Sequence, residues 1–274
     1  MMLKLLACLF MLIDHIGYYW QPWLPDGLAS SMRIVGRLAF PVFAFGIAHG
    51  YLRTRNPLIY FIRMSVFAII TEFLLRTTYA WAGLLWSGSN VLVTFALAIV
   101  MISGWRLASR SSLDVIGGLR PLPSGNHARD DNPHFHVRLS PGGIEMDRRI
   151  ALPLGILFIL LPMLLAIWLR PDYGLYGLVT VLVFYIVREQ TAPERLYRRS
   201  LQAFIVVNAV FLPYRIFIEQ VPVDWAILQT FSIAAVLICE QIQDSRPPRR
   251  WTKYLFYLFY PLHIILLIVI RQSS

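Results

Sequence analysis

Apolar residues fall into nine long runs separated by polar breaks, approximately Leu3–Trp20, Ile34–Leu52, Leu58–Leu75, Asn90–Trp105, Ala151–Leu169, Tyr173–Val187, Leu201–Phe217, Val223–Glu240 and Tyr254–Ile270. About 20 mostly apolar residues in a helix cross the roughly 30 Å of bilayer hydrocarbon, where backbone N–H and C=O groups find no other partners. The pattern therefore predicts an all-α protein, a polytopic bundle of about nine transmembrane helices forming one membrane domain over residues 1–274. Between the fourth and fifth runs, Leu107–Arg149 mixes Pro, Gly, Ser and both signs of charge without apolar periodicity, and reads as a flexible loop.

Composition agrees: 57% of residues are hydrophobic and 15% charged, with a mean hydropathy of +0.60, which excludes a soluble domain of ordinary make-up. The first run carries Asp14 and His15 and no Ala-x-Ala-like cleavage site, so it is expected to stay as the first helix rather than leave as a signal peptide. Cys8 and Cys239 each fall within a run and imply no disulfide framework. The net charge of +10 would fit nucleic acid on a soluble chain, but on this one its distribution reports orientation. With Lys4 inside, alternate loops place 18 Lys and Arg residues on the inner side and 5 on the other. That asymmetry predicts a cytoplasmic N-terminus, a cytoplasmic loop at 107–149 and no nucleic-acid partner. Tyr18, Tyr19, Trp20, Trp81, Trp86, Trp105, Trp168 and Trp251 lie near run ends, as an interfacial belt does.

A charge at the bilayer centre costs about 2.5–3.5 kcal/mol on insertion scales, so ionisable residues within the runs mark either function or packing. The charge pattern sets Asp14, His15, Arg37, Glu72 and Asn90 at one outer depth, with Asp172 and Arg215 at the same boundary. Asp14 with Arg37, and Glu72 with Arg76, can equally be ion pairs that fix packing. An imidazole titrating near neutral pH is the usual general base, and a hydrogen-bonded packing histidine is the alternative for His15. Asp14 cannot face the His15 ring, because successive helical residues point about 100° apart, so Glu72 or another helix is expected to orient it. Toward the inner side, His49, Arg53, Arg55 and Arg63 form a basic mouth suited to phosphates, although the positive-inside rule alone accounts for Arg53 and Arg55. Pro261 and His263 sit inside the last run, where a kink with a packing histidine competes with a cavity-facing one. In the polar loop, Asp130, Asp131, His134 and His136 lack the ligand count of a defined metal site, and no metal is expected.

The opening Leu3-Lys4-Leu5 followed by Met11-Leu12-Ile13-Asp14-His15-Ile16-Gly17 resembles the TraX family of bacterial membrane proteins, named for the enzyme that acetylates the N-terminus of conjugative F-type pilin. Arg33-Ile34-Val35-Gly36-Arg37-Leu38-Ala39-Phe40-Pro41, Gly50-Tyr51 with Thr54-Arg55-Asn56, Tyr60 with Arg63, and Glu72 continue the resemblance in order. Asn90-Val91-Leu92-Val93-Thr94, Asp172-Tyr173-Gly174-Leu175-Tyr176-Gly177 and Phe259-Tyr260-Pro261-Leu262-His263 carry it to the C-terminal end. Lys4 and His15, with ten residues between them, match the basic-residue-to-histidine spacing of the wider membrane acyltransferase group, where Arg is usual in place of Lys.

The resemblance implies an acyltransferase of the bacterial cytoplasmic (inner) membrane that moves acetyl from cytosolic acetyl-CoA to an amine or hydroxyl, a pilin N-terminus or another cell-surface acceptor. It implies catalytic roles for His15 as base, Asp14 or Glu72 as its support, and Arg37. Combined with the depth and charge pattern above, it places expected substrate contacts at Lys4, Asn90, Thr94, Asp172, Arg215 and His263, and expected donor contacts at His49, Arg53, Arg55 and Arg63. A proton-coupled transporter or flippase would also use intramembrane Asp, Glu and His, but the sequence shows no pair of inverted halves. A non-catalytic pilus assembly factor is the third class.

Overall fold

The computed structural model of the chain describes residues 2–116, 136–138, 145–241 and 252–273. Eleven helices follow in order among the described residues: α1 (Met2–Tyr19), α2 (Asp26–Gly36), α3 (Ala39–Arg53), α4 (Pro57–Trp81), α5 (Val91–Ile116), α6 (Arg148–Leu169), α7 (Gly174–Gln190), α8 (Pro193–Phe217), α9 (Val223–Leu228), α10 (Ala235–Gln241) and α11 (Thr252–Ser273). A small antiparallel pair, β1 (His136–Arg138) and β2 (Glu145–Asp147), precedes α6. Each of the nine apolar runs maps onto this series, with α2–α3 and α9–α10 each serving one run. Eight stretches among the described residues are long and apolar enough to cross a membrane. At 17 residues α7 is shorter than these, yet seven of its residues are buried as it packs against α3, α5, α6 and α8.

Two boundaries differ from expectation for local reasons. The second apolar stretch begins at Gly27 rather than Ile34, because the polar residues Ser30, Ser31 and Arg33 lie on a helix that continues into the membrane. That stretch bends at Arg37–Leu38: Pro41, in the first turn of α3, has no N–H to return to the Arg37 carbonyl. The loop expected from Leu107 is helical as far as Ile116, since Leu107 itself is buried against Ala151, Leu154 and Phe158. Residues 117–135 of that loop lie outside the described residues. Elsewhere the starts are those the sequence dictates. The Asn56 side chain accepts from the Ile59 N–H at 3.1 Å with Pro57 as the first helical residue, and Pro193 opens α8 in the same way.

In the bundle, α1 packs against α2, α3 and α11, α11 against α4, and α4 against α5, so the first and last helices are neighbours. Central positions hold large fully buried side chains, among them Tyr51, Phe184, Tyr185, Phe204 and Met64. On α6, Leu157, Leu160, Leu164 and Trp168 are exposed, an apolar face of the kind that meets lipid tails. Its other face meets α5 through Gly104 and Gly155, where an added Cβ on Gly155 would lie 2.6 Å from the Ala108 nitrogen.

Helices α1 and α2 touch through a second glycine. A Cβ at Gly36 would occupy the space of the Asp14 carboxyl, whereas one at Gly27, on the same helix, would meet nothing within 4 Å. Gly36→Ala is expected to destabilise the protein by about 1–3 kcal/mol through overpacking, with Gly27→Ala neutral or slightly stabilising. Thermal midpoints of the two variants in one detergent check this, and equal midpoints would contradict it.

Candidate active site

Three polar clusters meet at the end of the bundle where α1 finishes and α5 and α7 begin. In the first, Asp14 on α1 is 8% exposed and held by two guanidiniums. Arg37 Nη2 donates to its Oδ1 and Oδ2 at 3.0 and 3.1 Å, and Arg33 Nη1 approaches Oδ2 at 2.9 Å. Four residues apart, Arg33 on the last turn of α2 and Arg37 capping its end reach the same carboxylate because Gly36 lets that helix approach α1. Arg33 also lies over the rings of Tyr18 and Trp225, at 5.2 and 5.6 Å.

The second cluster is built on Glu72 of α4. Its Oε2 accepts from the Asn90 backbone N–H at 3.0 Å and from Asn90 Nδ2 at 2.8 Å, while Oε1 accepts from Trp86 Nε1 at 2.8 Å and Arg76 Nε at 2.7 Å. Asn90 is fully buried, donates also to the Ala68 carbonyl at 2.9 Å, and accepts from the Leu92 N–H at 3.0 Å. The start of α5 is thereby tied to the middle of α4.

The third cluster is aromatic and joins the two ends of the chain. His15 Nδ1 lies 2.7 Å from Nε2 of His263 on α11, and His263 Nδ1 lies 2.6 Å from the Phe259 carbonyl. Tyr19, one turn beyond His15, bonds through its hydroxyl to that of Tyr79 on α4. Beside this pair, Tyr260 donates to Asp172 Oδ2 at 3.4 Å.

Asp172 is placed by a strained turn. Arg170 and Tyr173 have φ of 45° and 67° on either side of it, and Gly174 follows at 40°. The Asp172 N–H donates to the Ser89 carbonyl at 2.9 Å and its carbonyl accepts from Thr94 Oγ1, so the α6–α7 turn is stitched to the start of α5. Asp172 is exposed at the turn, but protein packed around its carboxyl desolvates it and pushes it up to about 6, the Tyr260 bond opposing and the charge of Glu72 adding to the rise.

The expected residues are thus gathered unevenly. Asp14, His15, Arg37, Glu72, Asn90, Thr94, Asp172 and His263 all belong to these linked clusters. The hydrogen-bond partner of His15 among the described residues is His263, while Asp14 and Glu72, its expected supports, are engaged by Arg37, Arg33, Arg76 and Asn90. Arg215 lies apart: it stands 3.6 Å from Glu219 and lines a shallow cleft with Tyr176, Asn208, Phe211 and Gln229.

At the opposite end, Lys4 lies 5.4 Å over the Phe256 ring, His49 stacks on Phe45, and Arg53 and Arg55 are exposed. Arg63 is drawn further into the bundle, 5.3 Å over the Tyr60 ring and against Tyr257, with its Nε unbonded. Among the described residues no three His, Cys, Asp or Glu side chains gather as metal ligands. Asp130, Asp131 and His134, and the side chain of His136, lie outside the described residues.

Sequence reasoning passed over Arg33, counted there as an outer-loop charge, together with Tyr260, Tyr79 and Trp86. The spacing of Arg33 from Arg37 was the available signal, as was the place of Tyr260 within Phe259-Tyr260-Pro261-Leu262-His263. Tyr79 and Trp86 carry no comparable mark, because aromatics at helix ends read as an interfacial belt.

Fold and site together define a polytopic helical membrane protein with a partly buried ionisable layer drawn from helices far apart in the chain. Residues 1–119 and 143–271 match the family described as TraX protein, and the chain belongs to that family. It is 24% identical over 279 residues to the probable fimbrial assembly protein FimC, serogroup H1, of Dichelobacter nodosus, spanning 97% of this chain and 92% of the relative. A shorter match, 46% over 50 residues and 18% of each chain, is to the uncharacterized protein RP591 of Rickettsia prowazekii (strain Madrid E). No solved structure matches the chain.

An acid raised above its ordinary 3.8 favours the fold in its protonated form; that contribution is full below 3.8 and lost as pH rises through about 6. Wild type is therefore expected to lose stability against Asp172→Asn between about pH 4 and 6, with the gap level above that. Paired thermal midpoints across this range check it, and a gap independent of pH would refute the raised Asp172 carboxyl.

Proposed function

We propose that the protein is an acetyltransferase of the bacterial inner membrane that passes acetyl from cytosolic acetyl-CoA to an amine or hydroxyl on a pilus subunit or another surface acceptor. The observation that carries this reading is the part-buried His15–His263 contact set within a layer that also holds Arg37 and Asn90. Membership of the TraX family supports it, and the name of the Dichelobacter nodosus relative supports a pilus context.

The acceptor N–H or O–H gives its proton to His15 as its lone pair attacks the thioester carbonyl. The C–S bond then breaks, and the proton passes to the departing thiolate. General base assistance of this kind contributes about 10²–10⁴ in rate. Arg37, oriented by Asp14 and with its Nε–H unbonded, supplies a donor for the oxygen that becomes negative. The role of Asp14 shifts accordingly, from supporting the imidazole to holding this donor, while Glu72 fixes Asn90 and the start of α5.

Arg63 fits the donor side. It has no carboxylate partner among the described residues, and the Tyr257 it touches precedes His263 by six residues, about 9 Å along α11. A pantetheine-length arm reaching from a phosphate held by Arg63, His49, Arg53 or Arg55 would deliver its thioester to His15.

Purified protein in lipid, supplied with radiolabelled acetyl-CoA and peptides bearing pilin N-termini, tests the reading. Transfer is expected, reduced about 10²–10⁴-fold in His15→Ala. Neither transfer nor acetyl-CoA binding would favour a carrier or an assembly factor instead. Undiminished transfer by His15→Ala would reject the base.

The orientation proposed here puts Lys4 and Arg55 in the cytoplasm. A membrane-impermeant thiol reagent added outside intact cells is expected to label cysteine placed at Asp26 and not at Arg55, in a background lacking Cys8 and Cys239. The opposite labelling would invert donor and acceptor sides.

A further inference from the structure

The contacts of His263 decide which nitrogen of His15 is free. His263 Nδ1 lies 2.6 Å from the Phe259 carbonyl, one turn back on α11. A carbonyl oxygen only accepts, so this nitrogen carries the proton; the oxygen has two lone pairs and serves the helical bond as well. His263 is 5% exposed, and no carboxylate among the described residues bonds to its ring. A buried imidazole without a counter-charge is neutral, which leaves the lone pair on Nε2.

His15 Nδ1 is 2.7 Å from that Nε2, and the shared proton therefore belongs to His15 Nδ1. The remaining nitrogen of His15, Nε2, has no hydrogen-bond partner in the protein among the described residues and holds its lone pair outward from the contact.

We infer that His263 is a positioning residue that fixes His15 as its Nδ1–H tautomer and so presents Nε2 as the proton acceptor. The orienting role often taken by a carboxylate beside a catalytic histidine falls here to a neutral imidazole. The adjacent carboxylate, Asp14, is committed to Arg33 and Arg37. Because His15 is on α1 and His263 on α11, the base nitrogen is defined only once the last helix has docked on the first. This assignment rests on the acetyltransfer reading only for the use made of Nε2, and the tautomer itself is measurable without any reaction.

The chain has six histidines, few enough to assign by substitution in ¹⁵N spectra of the full-length protein in lipid nanodiscs. Wild-type His15 is expected to show a protonated Nδ1 and a bare Nε2. His263→Gln keeps an acceptor oxygen and is expected to retain that tautomer. His263→Leu removes the acceptor, and His15 is expected to move to the Nε2–H form. With acetyl transfer as readout, His263→Leu should lower kcat about 10²-fold or more with little change in KM, since a wrongly protonated histidine costs a serine protease about 10⁴. His263→Gln should restore most of that loss.

A protonated Nε2 on wild-type His15, or a tautomer unmoved by His263→Leu, would overturn the inference. Should His263→Leu fail to fold, the wild-type spectrum alone decides. The predicted tautomer in a protein that transfers no acetyl would leave the inference standing and reject the acetyltransferase.

Discussion

A carboxylate removed from water and left unpaired destabilises a fold by several kcal/mol, and the arrangement of this bundle's first three helices answers to that cost at Asp14. Two guanidiniums neutralise it, from the last turn of α2 and its C-cap, which requires α2 to lie against α1 with a glycine at the contact. The same requirement explains why the second membrane stretch starts early and bends at Arg37. Both Arg33 and Arg37 must face Asp14 before Pro41 redirects the chain into α3. Loss of one partner from a buried pair costs about 3–5 kcal/mol, because the other charge stays behind.

This first constraint propagates through shared neighbours. Fixing α1 by its Asp14 side turns His15 toward the opposite neighbour, α11, and Tyr19 toward α4. On α4, Glu72 then fixes the start of α5 through Asn90, and the start of α5 holds the Asp172 turn through Ser89 and Thr94. The carboxylates and imidazoles of the series find partners on other elements, which offsets the cost of holding such groups in a low-dielectric bundle. A series of this kind has no redundant member, so its packing and its chemistry cannot be separated by looking at any one residue.

The chain showed some of this in advance and hid the rest for identifiable reasons. Nine apolar runs map onto the helices because apolar length is a local property, and Asp14, His15, Glu72 and Asp172 stood out because charge is costly among apolar neighbours. The helical character of Gly27–Gly36 was masked by Ser30, Ser31 and Arg33, which read as loop until their contact with Asp14 is known. The partner of His15 could not be read at all. Helical geometry excluded Asp14, but nothing local distinguishes Glu72 from His263 when they stand 57 and 248 residues away. Contacts between distant helices are set by how the bundle closes, and single-sequence periodicity carries no record of that closure.

Closure also bears on when such a site becomes competent. Asp14 with its arginines, and Glu72 with Asn90, use residues from the first five helices alone and can form while the rest of the chain is still being inserted. Asp172 enters with the α6–α7 turn, and His263 only with α11. An amphipathic ring such as His15 would otherwise face an unfilled groove beside α1, with either of its nitrogens free to carry the proton. Docking of α11 fills that groove with Tyr260 and His263 and imposes one arrangement of protons on it. In a chain that crosses the membrane repeatedly, placing the deciding contact on α11, 248 residues beyond His15, keeps the protonation of that ring undefined until α11 has docked on α1.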